Sequence, residues 1–90
     1  MCQLDKSQKI DAMVELLASI TDPGDFKVLL QDLCTAKEIE NMAERIYAAK
    51  LLLAGKTYNQ IMELADISSA TLSRVSRCVQ YGEGYSKLLK

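Results

Sequence analysis

The chain has no histidine, no tryptophan, one phenylalanine, one proline and four glycines in 90 residues. The missing imidazole removes the commonest zinc ligand and every acid–base or nucleophilic scheme built on histidine. There is also no glycine-rich phosphate loop and no carboxylate pair suited to a pocket. A lone cysteine nucleophile would have no evident base to activate it. No catalytic residue, metal site or cofactor is therefore expected. The three cysteines, Cys2, Cys34 and Cys78, are odd in number and lack CxxC spacing. Reduced thiols in a cytoplasmic protein fit that better than a disulfide framework. Cys34 and Cys78 stand in apolar-periodic stretches and read as small core residues. No apolar run approaches the ~20 residues of a membrane span, and the opening Met-Cys-Gln-Leu-Asp-Lys has no apolar leader core, so no membrane association is expected.

Apolar residues make up 49% and charged residues 26%, with a net charge of −1. The apolar set is mostly Leu, Ile, Val, Met and Ala, the composition of a helical globular domain. Charge is unevenly spread. Residues 1–68 carry seven basic and eleven acidic side chains, a balance of −4. Residues 69–90 carry Arg74, Arg77, Lys87 and Lys90 against Glu83 alone, a balance of +3. A basic C-terminal end on an acidic body points to a polyanionic partner.

Periodicity and capping divide the chain into five short helices without strands. Asp5 or Ser7 starts the first, with Ile10, Met13, Val14, Leu17 and Ala18 at helical spacing. Asp22 caps the second, Pro23 takes its first position, and Phe26, Leu29, Leu30, Leu33 and Cys34 form its apolar stripe. Thr35 to Glu38 reads as a capping box opening a third helix from Ala36 to about Ala54, stopped by Gly55. The C-terminal half of that helix is apolar almost all round, which predicts the centre of a homodimer. Thr57 to Gln60 is a second capping box, opening a short fourth helix. Asp66 and Ile67 make a tight turn in which Asp tolerates a left-handed conformation. Ser68 or Ser69 then caps a fifth helix with Leu72, Val75, Cys78 and Val79 inward, ending near Tyr81 and Gly82.

Residues 57–81 carry the functional signal. Two short helices joined by a tight turn, the second polar on its leading face, describe a helix-turn-helix. Ile67, Leu72 and Val75 would lock the second helix onto the first. The candidate contacts to double-stranded DNA are Asn59, Ser68, Ser69, Ala70, Thr71, Ser73, Arg74 and Arg77. Short polar side chains allow close approach to base edges, and the two arginines reach phosphates. Asp66 stands where such motifs usually have Gly, and Met62 where the first helix usually has Ala, which would widen the interhelical angle.

The run Asp66-Ile-Ser-Ser-Ala-Thr-Leu-Ser-Arg-Val75 is similar to the helix-turn-helix of many bacterial repressors. Thr35, Arg45, Leu52 to Gly55, and Ala70 to Arg74 together resemble the Trp repressor superfamily, in particular its YerC/YecD group. The likeness is good over residues 35–80. It implies an all-α, intertwined homodimer of five to six short helices, the sixth short or missing, with a C-terminal helix-turn-helix, reading a palindromic operator as a transcriptional regulator of the repressor type. Residues 1–55 would supply dimerisation helices, 56–81 the reading head and 82–90 a short tail within one domain.

The resemblance also implies an effector pocket. Arg45 and Arg74 would flank an indole, and Thr35 would hydrogen-bond a carboxylate. Val75 stands where the family's repressor has Gly, Cys78 replaces a Ser, and Asp32 replaces an apolar residue. The methyl groups of Val75 take space that an indole needs, so the effector is expected to be something other than tryptophan, or absent. The other reading is a helical dimerisation or adaptor protein whose fifth helix meets another protein.

Overall fold

A computed structural model describes residues 3–89; Met1, Cys2 and Lys90 lie outside the described residues. Six α-helices and no strands are present among them: α1 Lys6–Ser19, α2 Pro23–Leu33, α3 Ala36–Leu53, α4 Tyr58–Leu64, α5 Ser69–Tyr81 and α6 Gly84–Leu88. No helix of the described residues is long and apolar enough to cross a membrane. Packing divides the chain into two compact units, Met1–Thr35 and Ala36–Lys90. That division falls before α3, so the long helix belongs to the same unit as the helices that follow it.

In the first unit, local capping sets the helix ends. The Gln8 N–H donates to Asp5 Oδ1 at 2.8 Å and the Asp5 N–H donates to Gln8 Oε1 at 2.9 Å. The two donors satisfied there have no partner within α1. Asp22 caps α2 by accepting from the Asp25 N–H at 3.0 Å, with Pro23 in the first turn. Neither α1 nor α2 contains a buried residue. Ile10 and Val14 on α1 are 55% and 53% exposed, and Val28 on α2 is 61% exposed. Cys34 is only half-buried, not a core residue, because it stands at the end of α2 where the apolar stripe runs out.

The second unit closes a core of its own. Ala48 and Ala49 of α3, Ile61 of α4, Ala65 of the turn, and Leu72 and Val75 of α5 are buried together. Leu51, Leu52, Ile67, Val79, Tyr85 and Leu89 pack against them, half-buried. Small alanines on α3 let α5 approach closely, and α3 packs chiefly on α5. α3 stops at Gly55, whose φ of +88° suits a residue without a Cβ. The Gly55 N–H donates to the Leu52 carbonyl and the Lys56 N–H to the Leu51 carbonyl, each at 3.0 Å, completing a Schellman termination. Ile46 and Tyr47 are 44% and 42% exposed, so part of the apolar circumference of α3 is left uncovered by α4, α5 and α6.

Three expectations are corrected. Residues 82–90 do not form a plain tail: α6 occupies Gly84–Leu88, and Tyr85 and Leu89 dock on the core. Cys78 is exposed, and Ser76 takes the buried place expected for it. The stripe 72, 75, 76, 79 follows the turn of the helix, whereas position 78 falls about 100° to one side of it. Asp66 is not left-handed, because no described non-glycine residue has positive φ. The turn is extended at Ala65 and at Ser68, so Asp66 in place of glycine carries no backbone strain.

Candidate nucleic-acid interface

The two helices of the reading head are set by their first turns. For α4, the Gln60 N–H donates to Thr57 Oγ1 at 3.2 Å while the Thr57 N–H donates to Gln60 Oε1 at 2.9 Å. For α5, Ser68 Oγ accepts from the Thr71 N–H at 3.2 Å and donates to Thr71 Oγ1 at 2.9 Å. Ile61 and Ala65 share one buried cluster with Leu72 and Val75 and with Ala48 and Ala49 of α3, so α3 holds both helices in place. Met62 is 42% exposed and lies outside that buried cluster, so it does not act as a spacer between the helices.

Of the eight candidate contacts to DNA, seven are exposed: Asn59, Ser68, Ser69, Ala70, Ser73, Arg74 and Arg77. Thr71 is half-buried, with its hydroxyl facing that of Ser68. These two hydroxyls first hold the start of α5. Ala70, Ser73, Arg74 and Arg77 line one shallow groove of about 560 Å³, together with Tyr81 at its far end. Tyr81 is 83% exposed. The outer face of α5 is thus a row of short side chains followed by two guanidinium groups and a phenol. Short side chains allow a helix to lie deep in a groove, and guanidinium groups suit phosphate oxygens.

Three of the four expected effector residues come together. Arg45, Arg74 and Val75 line a cleft of about 400 Å³ with Thr71, Cys78 and Tyr85. That volume lies in the range of roughly 300–1,000 Å³ found for small-molecule sites. Thr35, the fourth, is the last residue of the first unit. A neighbouring cleft of about 250 Å³ is lined by Lys37, Asn41, Glu44 and Arg45 of α3 and by Asp66 and Ser68 of the turn. Here Glu44 Oε2 accepts a hydrogen bond from the Asp66 N–H at 2.9 Å.

Sequence reasoning missed Glu44 and Tyr85. The bond from Glu44 spans 22 residues, so no local spacing announces it. Tyr85 had a signal: Tyr85, Leu88 and Leu89 stand at helical spacing after Gly84, the mark of one more short apolar helix.

A capped helix, a tight turn and a second helix with a polar, basic outer face make this a helix-turn-helix protein. The profile of the Trp repressor protein family matches residues 8–90, and the chain belongs to that family. The protein YerC of Bacillus subtilis (strain 168), itself uncharacterized, is 37% identical over 82 residues, covering 89% of this chain and 79% of YerC. The crystal structure of a proposed Trp repressor from Staphylococcus aureus matches with a TM-score of 0.87 at 29% identity. The match covers 99% of this chain and 92% of that one. The likeness to the YerC group carried by Thr35, Arg45, Leu52 to Gly55 and Ala70 to Arg74 runs along most of the chain.

Proposed function

We propose that the protein is a sequence-specific, DNA-binding transcriptional regulator, a repressor acting in the cytoplasm as a homodimer on a palindromic operator. The observation that carries this reading is the single groove on the outer face of α5, shared by Ala70, Ser73, Arg74 and Arg77. In the proposed complex Ser69, Ala70 and Ser73 approach base edges, and Arg74, Arg77 and Asn59 meet the backbone. Ser68 and Thr71 present the first turn of α5, where their own hydroxyl pairing leaves lone pairs for water-mediated contacts. The exposed apolar side chains of α1, α2 and α3 are what a second copy would cover. No chemical step is assigned to any residue.

The cleft between Arg45 and Arg74 is the proposed effector site. Val75 narrows it, so its occupant is a ligand smaller than tryptophan, or none. Selection of bound sequences from random duplex DNA, with and without pooled amino acids and nucleobases, tests binding, palindromy and effector dependence together. Enrichment of an inverted repeat is the expected outcome, and an unenriched pool refutes the reading.

A second reading is favoured by one feature. Ile46, Cys78, Tyr85, Leu88 and Leu89 line an apolar cleft of about 450 Å³, which suits a protein partner meeting α5. Salt separates the two. DNA binding weakens steeply with salt through counterion release, whereas an apolar contact hardly responds.

A further inference from the structure

We propose that Glu44 is a positioning residue for the reading head: its carboxylate, on α3, holds the helix-turn-helix turn by the Asp66 N–H. This role rests on the DNA-reading function proposed above. Apolar packing of Ala65 and Ile67 brings the turn against the core, but such contacts are non-directional. A hydrogen bond of 2.9 Å to a single N–H fixes the turn's rotation as well as its distance. Glu44 is half-buried, and it shares a face of α3 with Lys37, Asn41 and Arg45, all bordering the same cleft as Asp66 and Ser68.

The consequence for reading follows from chain distance. Ser68, the cap of α5, is two residues beyond the anchored N–H. Any rocking of the turn passes directly into the first turn of α5, where Ser69, Ala70 and Ser73 would meet base edges. Recognition at base edges needs placement to within about 0.5 Å and 10–20°. Contacts to phosphate tolerate more, because they act through charge. Loss of the anchor therefore weakens specific binding and leaves binding to arbitrary sequence intact.

Glu44→Gln and Glu44→Ala remove the same charge, but only the glutamine retains an oxygen to accept the bond. The comparison uses the full chain on a selected duplex and on a scrambled one. The alanine variant is expected to bind the selected duplex about tenfold more weakly than the glutamine variant, the scale of one hydrogen bond to a partly exposed group. The two variants should be equal on the scrambled duplex and share one salt slope. The Asp66 amide should exchange with solvent faster in Glu44→Ala than in Glu44→Gln. Equal binding of the selected duplex, or equal losses on both duplexes, overturns the role. If Glu44→Ala fails to fold, Glu44→Asp against the unmodified protein replaces it: charge is kept, reach is lost, and the same selective loss is expected. An unmodified protein that selects no duplex refutes the DNA reading and this role with it. Amide exchange at Asp66 then still shows whether the anchor holds the turn.

Discussion

Replacing Val75 tests both the packing of the reading head and the account of its effector cleft. The side chain is 2% exposed, lies midway along α5 and belongs to the buried cluster with Ile61, Ala65 and Leu72. Val75→Ala removes two methyl groups, which at ~0.8 kcal/mol per buried carbon forfeits about 1.5 kcal/mol before any cavity cost. Val75→Gly removes the last carbon as well and adds about 1 kcal/mol for a flexible residue inside a helix. The expected losses are roughly 2 kcal/mol for alanine and roughly 3–4 kcal/mol for glycine. For a chain of this size 1 kcal/mol lowers the melting temperature by about 4–8 °C, so the glycine variant should melt well over 10 °C below the parent. Urea and thermal unfolding at one fixed protein concentration measure this, since a dimer's stability depends on concentration. Isothermal calorimetry completes the test. The parent should give no heat with sub-millimolar tryptophan, and the glycine variant, with Arg45 and Arg74 still lining the cleft, should regain a response to an indole. A glycine variant within about 1 kcal/mol of the parent refutes the packing argument. A clear heat with the parent, together with tighter DNA binding, shows that Val75 does not block an indole.

Arg77→Ala should weaken binding about equally on all duplexes and lower the salt slope by roughly one unit; an unchanged slope removes Arg77 from the phosphate contacts. Gly82→Ala places a Cβ 2.6 Å from the Cys78 carbonyl oxygen, so the end of α5 must shift. Lower melting and faster amide exchange in α6 are expected, and unchanged melting argues against the constraint. Leu52→Lys puts a charge beside the core on α3, and circular dichroism with sedimentation should find an unfolded chain. A folded, stable monomer contradicts the dimer proposed here.

Helix ends were legible in the sequence because their chemistry is local. Asp22 with Pro23, Thr57 with Gln60, and Gly55 each act within a few residues of the end they set, and Asp5, one of two candidate starts, does so for α1. The reading head was legible for the same reason, since Ser68, Leu72 and Val75 have fixed places on one short helix. What escaped depends on tertiary partners. Hydrophobicity ranks Cys78 above Ser76, but the direction of α3 and α6 from α5 decides which of them is buried. α6 is obscured in the sequence because Gly82 and Gly84 read as an ending, and only the family resemblance allows a short sixth helix; Tyr85 and Leu89 find a core to dock on. The partner of Glu44 is a backbone N–H, which leaves no mark in any side-chain pattern.

α5 divides its side chains cleanly between two tasks. Leu72, Val75, Ser76 and Val79 face the core or its edge, and Ser69, Ala70, Ser73, Arg74 and Arg77 are exposed. Those two sets vary under independent constraints. Substitutions at 69, 70, 73 and 77 change the outer surface with stability effects typically within about ±0.5 kcal/mol, whereas the inner set is limited by volume. Under the DNA reading proposed above, a lineage of such proteins could exchange one target for another in single steps, each intermediate still folded. The same separation lets a library randomised at those four outer positions be screened for new specificity on a scaffold that need not be redesigned.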